Sequence, residues 1–129
     1  MPNNQFSETK PLQNFLQIVN ANGTTVLQLT TQTDRSQRWD TILLTNTDTI
    51  AHVVRLFTHI ATTQVLLGSV SVPAGAGTLG AAPVELLAAV FPATTQGCVL
   101  VQGNYLMISV EVAVVATFSV FVGAFGAEL

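Results

Sequence analysis

Charge is what this chain has least of. Four Lys or Arg and seven Asp or Glu make up 9% of its 129 residues, where about 25% is usual. A small free-standing domain normally keeps a charged, solvated skin. This one must meet water through Thr, Gln, Asn and Ser, or be covered by neighbours. Hydrophobic residues reach 49%, more than one small core consumes, so the composition predicts a subunit of an assembly. The few cations, Lys10, Arg35, Arg38 and Arg55, are scattered, and the net charge is −3. Nucleic acid, which is held by clustered Lys and Arg, is excluded as a partner on those grounds.

Cysteine is nearly as scarce. Cys98 stands alone, which rules out an intrachain disulfide and a Cys-rich zinc site. His52 and His59 are seven residues apart on one strand-like run, so a regular strand puts them on opposite faces. They cannot share a metal without a bulge between them, and each reads as an edge or hydrogen-bonded histidine. Neither a transition metal nor any cofactor is expected.

Catalytic sets are missing too. Cys98 beside either histidine would be a nucleophile, but a lone cysteine opening an apolar strand reads as a small core residue. Nothing in the spacing of Asp34, Asp40, Asp48, Glu85 and Glu111 brings two carboxylates together, and Glu111 reads as solvated or paired with Arg55 across a sheet. The glycine-rich GAGTLG at 75–80 lacks the Lys-Ser/Thr of a phosphate loop and does not match GxGxxG. It suits a close backbone approach or a simple loop. No enzyme is predicted.

Long apolar runs are short of membrane length. Val112–Ala127 spans 16 residues, fewer than the ~20 that a helix needs to cross a bilayer, and it alternates like a strand. The opening MPNNQFSETK has no basic-then-apolar leader pattern, which predicts synthesis and assembly in a cytoplasm. Aromatics other than Phe are one Trp and one Tyr. Trp39 reads as a core or rim anchor; a sugar-stacking platform there would need further aromatics nearby.

What the chain does have is period-two alternation. Residues 1–14 are polar, carry Pro2 and Pro11, and read as an extended N-terminal arm or a disordered tail. In the arm reading Phe6 is an apolar anchor on a neighbouring subunit, so Phe6 and Trp39 are the candidate partner contacts. Phe15–Val19 is a first strand, and Asn20-Ala21-Asn22-Gly23 turns the chain into a second, Thr24–Thr30. Thr41–Asn46, Ile50–Ile60 and Gln64–Val72 follow in succession and read as one antiparallel sheet around which the rest is organised. Pro83–Ala89 is the one convincing helix, with Pro83 at its first position. Cys98–Val101, Tyr105–Val114 and Ala116–Phe125 complete the strands, and Gly123 and Gly126 read as loosening the end of the last. The pattern predicts an all-β fold, an antiparallel β-sandwich that is jelly-roll-like, with about eight strands and one short helix. The domain is 15–129, preceded by the arm 1–14.

Three stretches carry a likeness. LTNTDTIAHVV at 44–54, LLGSVSVPAGAGT at 66–78 and Gly-x-x-Leu-x-Ile-x-Val-x-Val at 103–112 resemble small β-sandwich virion proteins of tailed bacteriophages. Some members of that family are capsid decoration or cement proteins. The likeness runs roughly from Thr41 to Gly126 and leaves the arm outside. It implies a non-catalytic virion subunit, often a trimer, that binds the major capsid protein or other virion proteins. The alternatives are a tail, neck or fibre component, or a carbohydrate-binding module for host recognition.

Overall fold

The computed structural model describes residues 10–32, 34–60, 62–78, 81–91 and 98–129. The chain forms two antiparallel sheets packed face to face, an all-β sandwich as the alternation predicts. In chain order the elements are β1 (Lys10–Val19), a 3-10 turn (Asn20–Asn22), β2 (Leu27–Gln28), β3 (Gln37–Asn46), β4 (His52–Ile60) and β5 (Thr63–Val72). Then come β6 (Val84–Glu85), α1 (Leu86–Val90), β7 (Cys98–Leu100), β8 (Tyr105–Val110) and β9 (Ser119–Glu128). The first sheet runs β1–β9–β3–β6, with β7 also on β3; the second runs β2–β8–β4–β5.

The core is the inward parity of both sheets. Ile42 and Leu44 of β3 and Val120, Val122 and Ala124 of β9 face Val54 and Leu56 of β4 and Leu106, Ile108 and Val110 of β8. Burying each such side chain contributes about 1.5–3 kcal/mol before the entropy of ordering it. Leu86 and Leu87 of α1 join that core, with the helix packed on β3 and β5.

Several boundaries differ from the sequence reading. The three successive strands do not form one sheet: β3 lies in the first, while β4 and β5 lie in the second. Thr47–Asp48–Thr49 is therefore a corner that carries the chain across the sandwich. Lys10–Asn14, assigned to the arm, belong to β1, pairing with Glu128 to Ala124. Ladder hydrogen bonds come from the backbone, so a strand extends where side-chain alternation gives no signal. Residues 1–9, Phe6 among them, lie outside the described residues.

The second strand shrinks to Leu27–Gln28. β8 ends at Val110, which leaves Val112 exposed, although its parity predicts burial. A turn closed by Phe118 N–H to Val115 C=O delays β9 to Ser119. Pro83 lies outside the helix: Val84–Glu85 pair with Leu44 and Leu43, and Glu85 is the N-cap, accepting the Ala88 N–H at 3.0 Å. Gly126 tightens β9 rather than loosening it, because a Cβ there would collide with the Arg38 carbonyl oxygen and with Trp39. In the glycine-rich loop the close approach is real: a Cβ on Gly77 would strike Thr45.

Candidate functional site

Among the described residues one pair of titratable side chains meets fully buried, at the corner between β3 and β4. Asp48 Oδ2 lies 2.8 Å from His52 Nε2 and accepts the Val115 N–H at 2.9 Å. Its Oδ1 accepts the Thr49 N–H. Asn46 Oδ1 accepts the Asp48 N–H, and the Asn46 amide donates to the carbonyls of Ile50, Val72 and Pro73. Burial raises the Asp48 pKa, but hydrogen bonds from Val115, His52 and Thr49, with the His52 charge interaction, outweigh it and hold the group at about 2. An ionised Asp48 only accepts, so Nε2 of His52 carries the proton. Nδ1 is buried without a hydrogen-bond partner.

Both side chains are fully closed to solvent. An Asp–His pair works as a base only where substrate can reach the imidazole, so this one has the geometry of a structural staple. The hydrogen-bonded reading of His52 is the observed one. His59 is on the opposite face, as parity predicts, with its ring stacked on Tyr105 at 4.6 Å between centroids. Among the described residues no three His, Cys, Asp or Glu side chains gather.

The remaining candidates separate. Cys98 is buried at the start of β7, where burial raises its thiol pKa. Arg55 pairs with Glu111 across β4 and the residue after β8, at 2.8 Å and exposed. Trp39 has only 1% of its surface exposed, and its indole N–H donates to Gln37 Oε1 at 2.9 Å. It is an anchor of the core and offers no face to a partner or a sugar, which corrects its reading as a possible contact.

The surface that stands out is apolar and lies on the outer face of the first sheet. Across β1, β9 and β3 the register sets three rows side by side: Gln13–Phe125–Thr41, Phe15–Gly123–Leu43 and Gln17–Phe121–Thr45. The centre of this grid is Gly123, with Phe125 and Phe121 along the strand and Phe15 and Leu43 across it. The corners are two amides and two hydroxyls, with no charge. Phe15 is 69%, Phe121 43% and Leu43 38% exposed. Phe15 and Phe125 meet edge to face, centroids 5.7 Å apart. Without a side chain at Gly123 the arms enclose a cleft of about 510 Å³.

Sequence reading set Phe121 with Thr117 and Ser119 on one parity of the last strand. It did not find the cross, because nothing in one sequence says that Phe15 and Leu43 flank the same glycine. The Phe121-Gly123-Phe125 spacing is the local signal; the neighbours come only from the sheet order.

These features define an all-β sandwich with an uncharged apolar depression on an open sheet face. Comparison with protein-family models, curated proteins and solved structures finds no match to this chain.

Proposed function

We propose that this chain is a non-catalytic structural subunit that docks on a protein assembly through the open face of its first sheet. The carrying observation is the Phe15–Leu43–Phe121–Phe125 cross, apolar, with Phe15, Leu43 and Phe121 exposed and Phe125 half-buried, in a chain with 9% charged residues. Exposed aromatic clusters with polar uncharged rims have the composition of interface hot spots. The likeness to tailed-phage virion proteins supports taking that assembly to be a phage head, with this chain as a decoration or cement subunit, itself oligomeric, bound to the major capsid protein. The buried position of Trp39 takes away the stacking platform on which a carbohydrate-binding reading leaned.

The test is occupancy on particles that lack this protein. Purified chain is added to heads and, separately, to tails, and bound protein is measured after sedimentation. Saturable binding to heads, reduced at least tenfold by Leu43→Gln with Phe121→Ser, is the expected result. Binding confined to tails, or no binding to either, overturns the decoration reading.

A further inference from the structure

β9 lies in a slot between two strands. Ten of its residues pair with β1 on one side and nine with β3 on the other. At Gly126 it passes so close to the Arg38 carbonyl and to Trp39 that only glycine fits. What fills the slot must therefore carry this sequence, but it need not come from the same molecule.

The connection into β9 is strained at one point. Before it the chain is fixed: the Glu111 N–H donates to the Val53 carbonyl, Val114 is buried and the Val115 N–H donates to Asp48. After it Ser119 is held by Thr47, through backbone and hydroxyl. Between them the turn closed by Phe118 N–H to Val115 C=O holds Thr117 at a φ of 77°. That is the third position of the turn, which at positive φ is given to Gly or Asn. Thr117 is the only non-glycine residue with positive φ among the described residues, and its branched side chain makes the conformation an outlier. Strain of this kind disfavours the closed turn roughly five- to 150-fold, and an extended hinge releases it.

The same end of the sandwich carries Ile50, Val112 and Val115, all exposed and none of them part of the apolar cross. Val115 is bound to Asp48, the Ile50 carbonyl to Asn46, and Val112 follows Glu111. The four steps from Val115 to Ser119 span at most about 14 Å. A β9 that entered the slot of a second copy would bring the two corners against each other. These three side chains are what each copy would bring to that contact.

We infer that β9 is exchanged between two copies of this chain. Ser119–Glu128 of each lies between β1 and β3 of the other, the hinge at 116–118 opens, and Ile50, Val112 and Val115 are covered where the corners meet. Every ladder contact of β9 is kept, which makes exchange a low-cost route to a dimer, and a short strained hinge favours it. The outer face of the first sheet becomes composite, with Phe15 and Leu43 from one chain and Phe121 and Phe125 from its partner. The inference does not rest on attachment to a capsid: exchange is read on the purified chain, particle binding separately, and either can fail alone.

The test uses the full chain, unfolded in urea and refolded at low and at high concentration. By sedimentation velocity the concentrated wild-type sample gives a dimer of twice the 13.6 kDa chain mass. That dimer persists on dilution, because β9 must leave two ladders before the copies part. Thr117→Gly relieves the closed turn and lowers the association constant roughly five- to 150-fold for each of the two hinges. Thr117→Pro, with φ fixed at about −65°, cannot close the turn and is dimeric wherever it folds. A disulfide reads the exchange itself. Lys10 and Glu128 are register partners at the end of the β1–β9 ladder, within reach of a disulfide. In a Cys98→Ala background, checked by thermal melting, Lys10→Cys and Glu128→Cys are placed on separate chains. Refolded together and oxidised, the two chains become cross-linked; refolded apart and then mixed, they do not. A single-chain species at every refolding concentration, equal dimer in wild type and Thr117→Gly, a dimer that parts at once on dilution, or no cross-link after joint refolding each overturns the inference.

Discussion

The carboxylate of Asp48 and the imidazole of His52 meet at 2.8 Å inside the corner where the chain passes from one sheet to the other. Asp48 also takes the Val115 N–H, so it ties together the end of β3, the start of β4 and the turn before β9. Asp48→Ala would leave those donors buried without an acceptor. We expect it to cost about 3 kcal/mol, read as a lower urea midpoint at pH 7.

The same residue gives the fold an acid dependence. Its folded pKa, about 2, lies below the ordinary 3.8, so the ionised form favours the folded state. That stability is complete above about pH 4 and is lost as pH falls toward 2. Denaturation midpoints measured between pH 5 and 2 should fall steeply in wild type. In Asp48→Asn they should start lower and fall less, the two curves converging at the acid end. Parallel curves would assign the acid loss to other carboxylates.

Trp39 gives a spectroscopic check of the core. It is the single tryptophan and its ring is closed in, with Gln37 on its N–H. The folded protein should emit at short wavelength and resist acrylamide quenching. Both properties should change only with the cooperative unfolding transition. Ready quenching in the native state would contradict the placement of the ring.

Gly126 is where β9 presses on the start of β3. Gly126→Ala sets a methyl against the Arg38 carbonyl and the Trp39 backbone, which must move apart. Overpacking of this kind costs about 1–3 kcal/mol, so the thermal midpoint should drop by several degrees. Gly23→Ala, whose Cβ meets no neighbour, isolates backbone strain from packing: only its positive φ is penalised, by about 1–3 kcal/mol.

Arg55 and Glu111 should matter little. Both side chains are substantially exposed, and exposed pairs couple by about 0.2–1 kcal/mol. A double-mutant cycle with Arg55→Ala and Glu111→Ala should return a coupling in that range at low salt, falling toward zero at high salt.

The strands that alternate cleanly were legible in the sequence because parity is local. His52, Val54, Leu56 and Thr58 inward against Arg55 and His59 outward needs only a period of two, and the structure keeps it. The same holds for Leu106 and Ile108. Which sheet each strand joins was not legible. That depends on a corner network, Asn46 with Asp48 and His52, whose members read separately as turn and strand residues. The polar half of β1 was missed because Lys10–Asn14 earn their place by ladder hydrogen bonds to β9, which leave no mark on composition. The apolar cross fell out of reach for the same reason: its four arms come from three strands far apart in sequence.

The order β1–β9–β3 sets a timetable for synthesis. β9 leaves the ribosome after every other described strand, yet it is the strand that lies between β1 and β3. Until Ser119 and the residues after it emerge, β1 has no ladder partner and one side of β3 stays open. A nascent chain therefore carries Phe15 on an unpaired strand and Leu43 on a strand paired along one side only, while the second sheet is already complete enough to close. Long-range pairing of this kind is slow and leaves sticky edges exposed. Translation that stalls before Ser119 should yield a half-built sandwich, sensitive to protease and dependent on chaperones, in place of a less stable version of the finished fold.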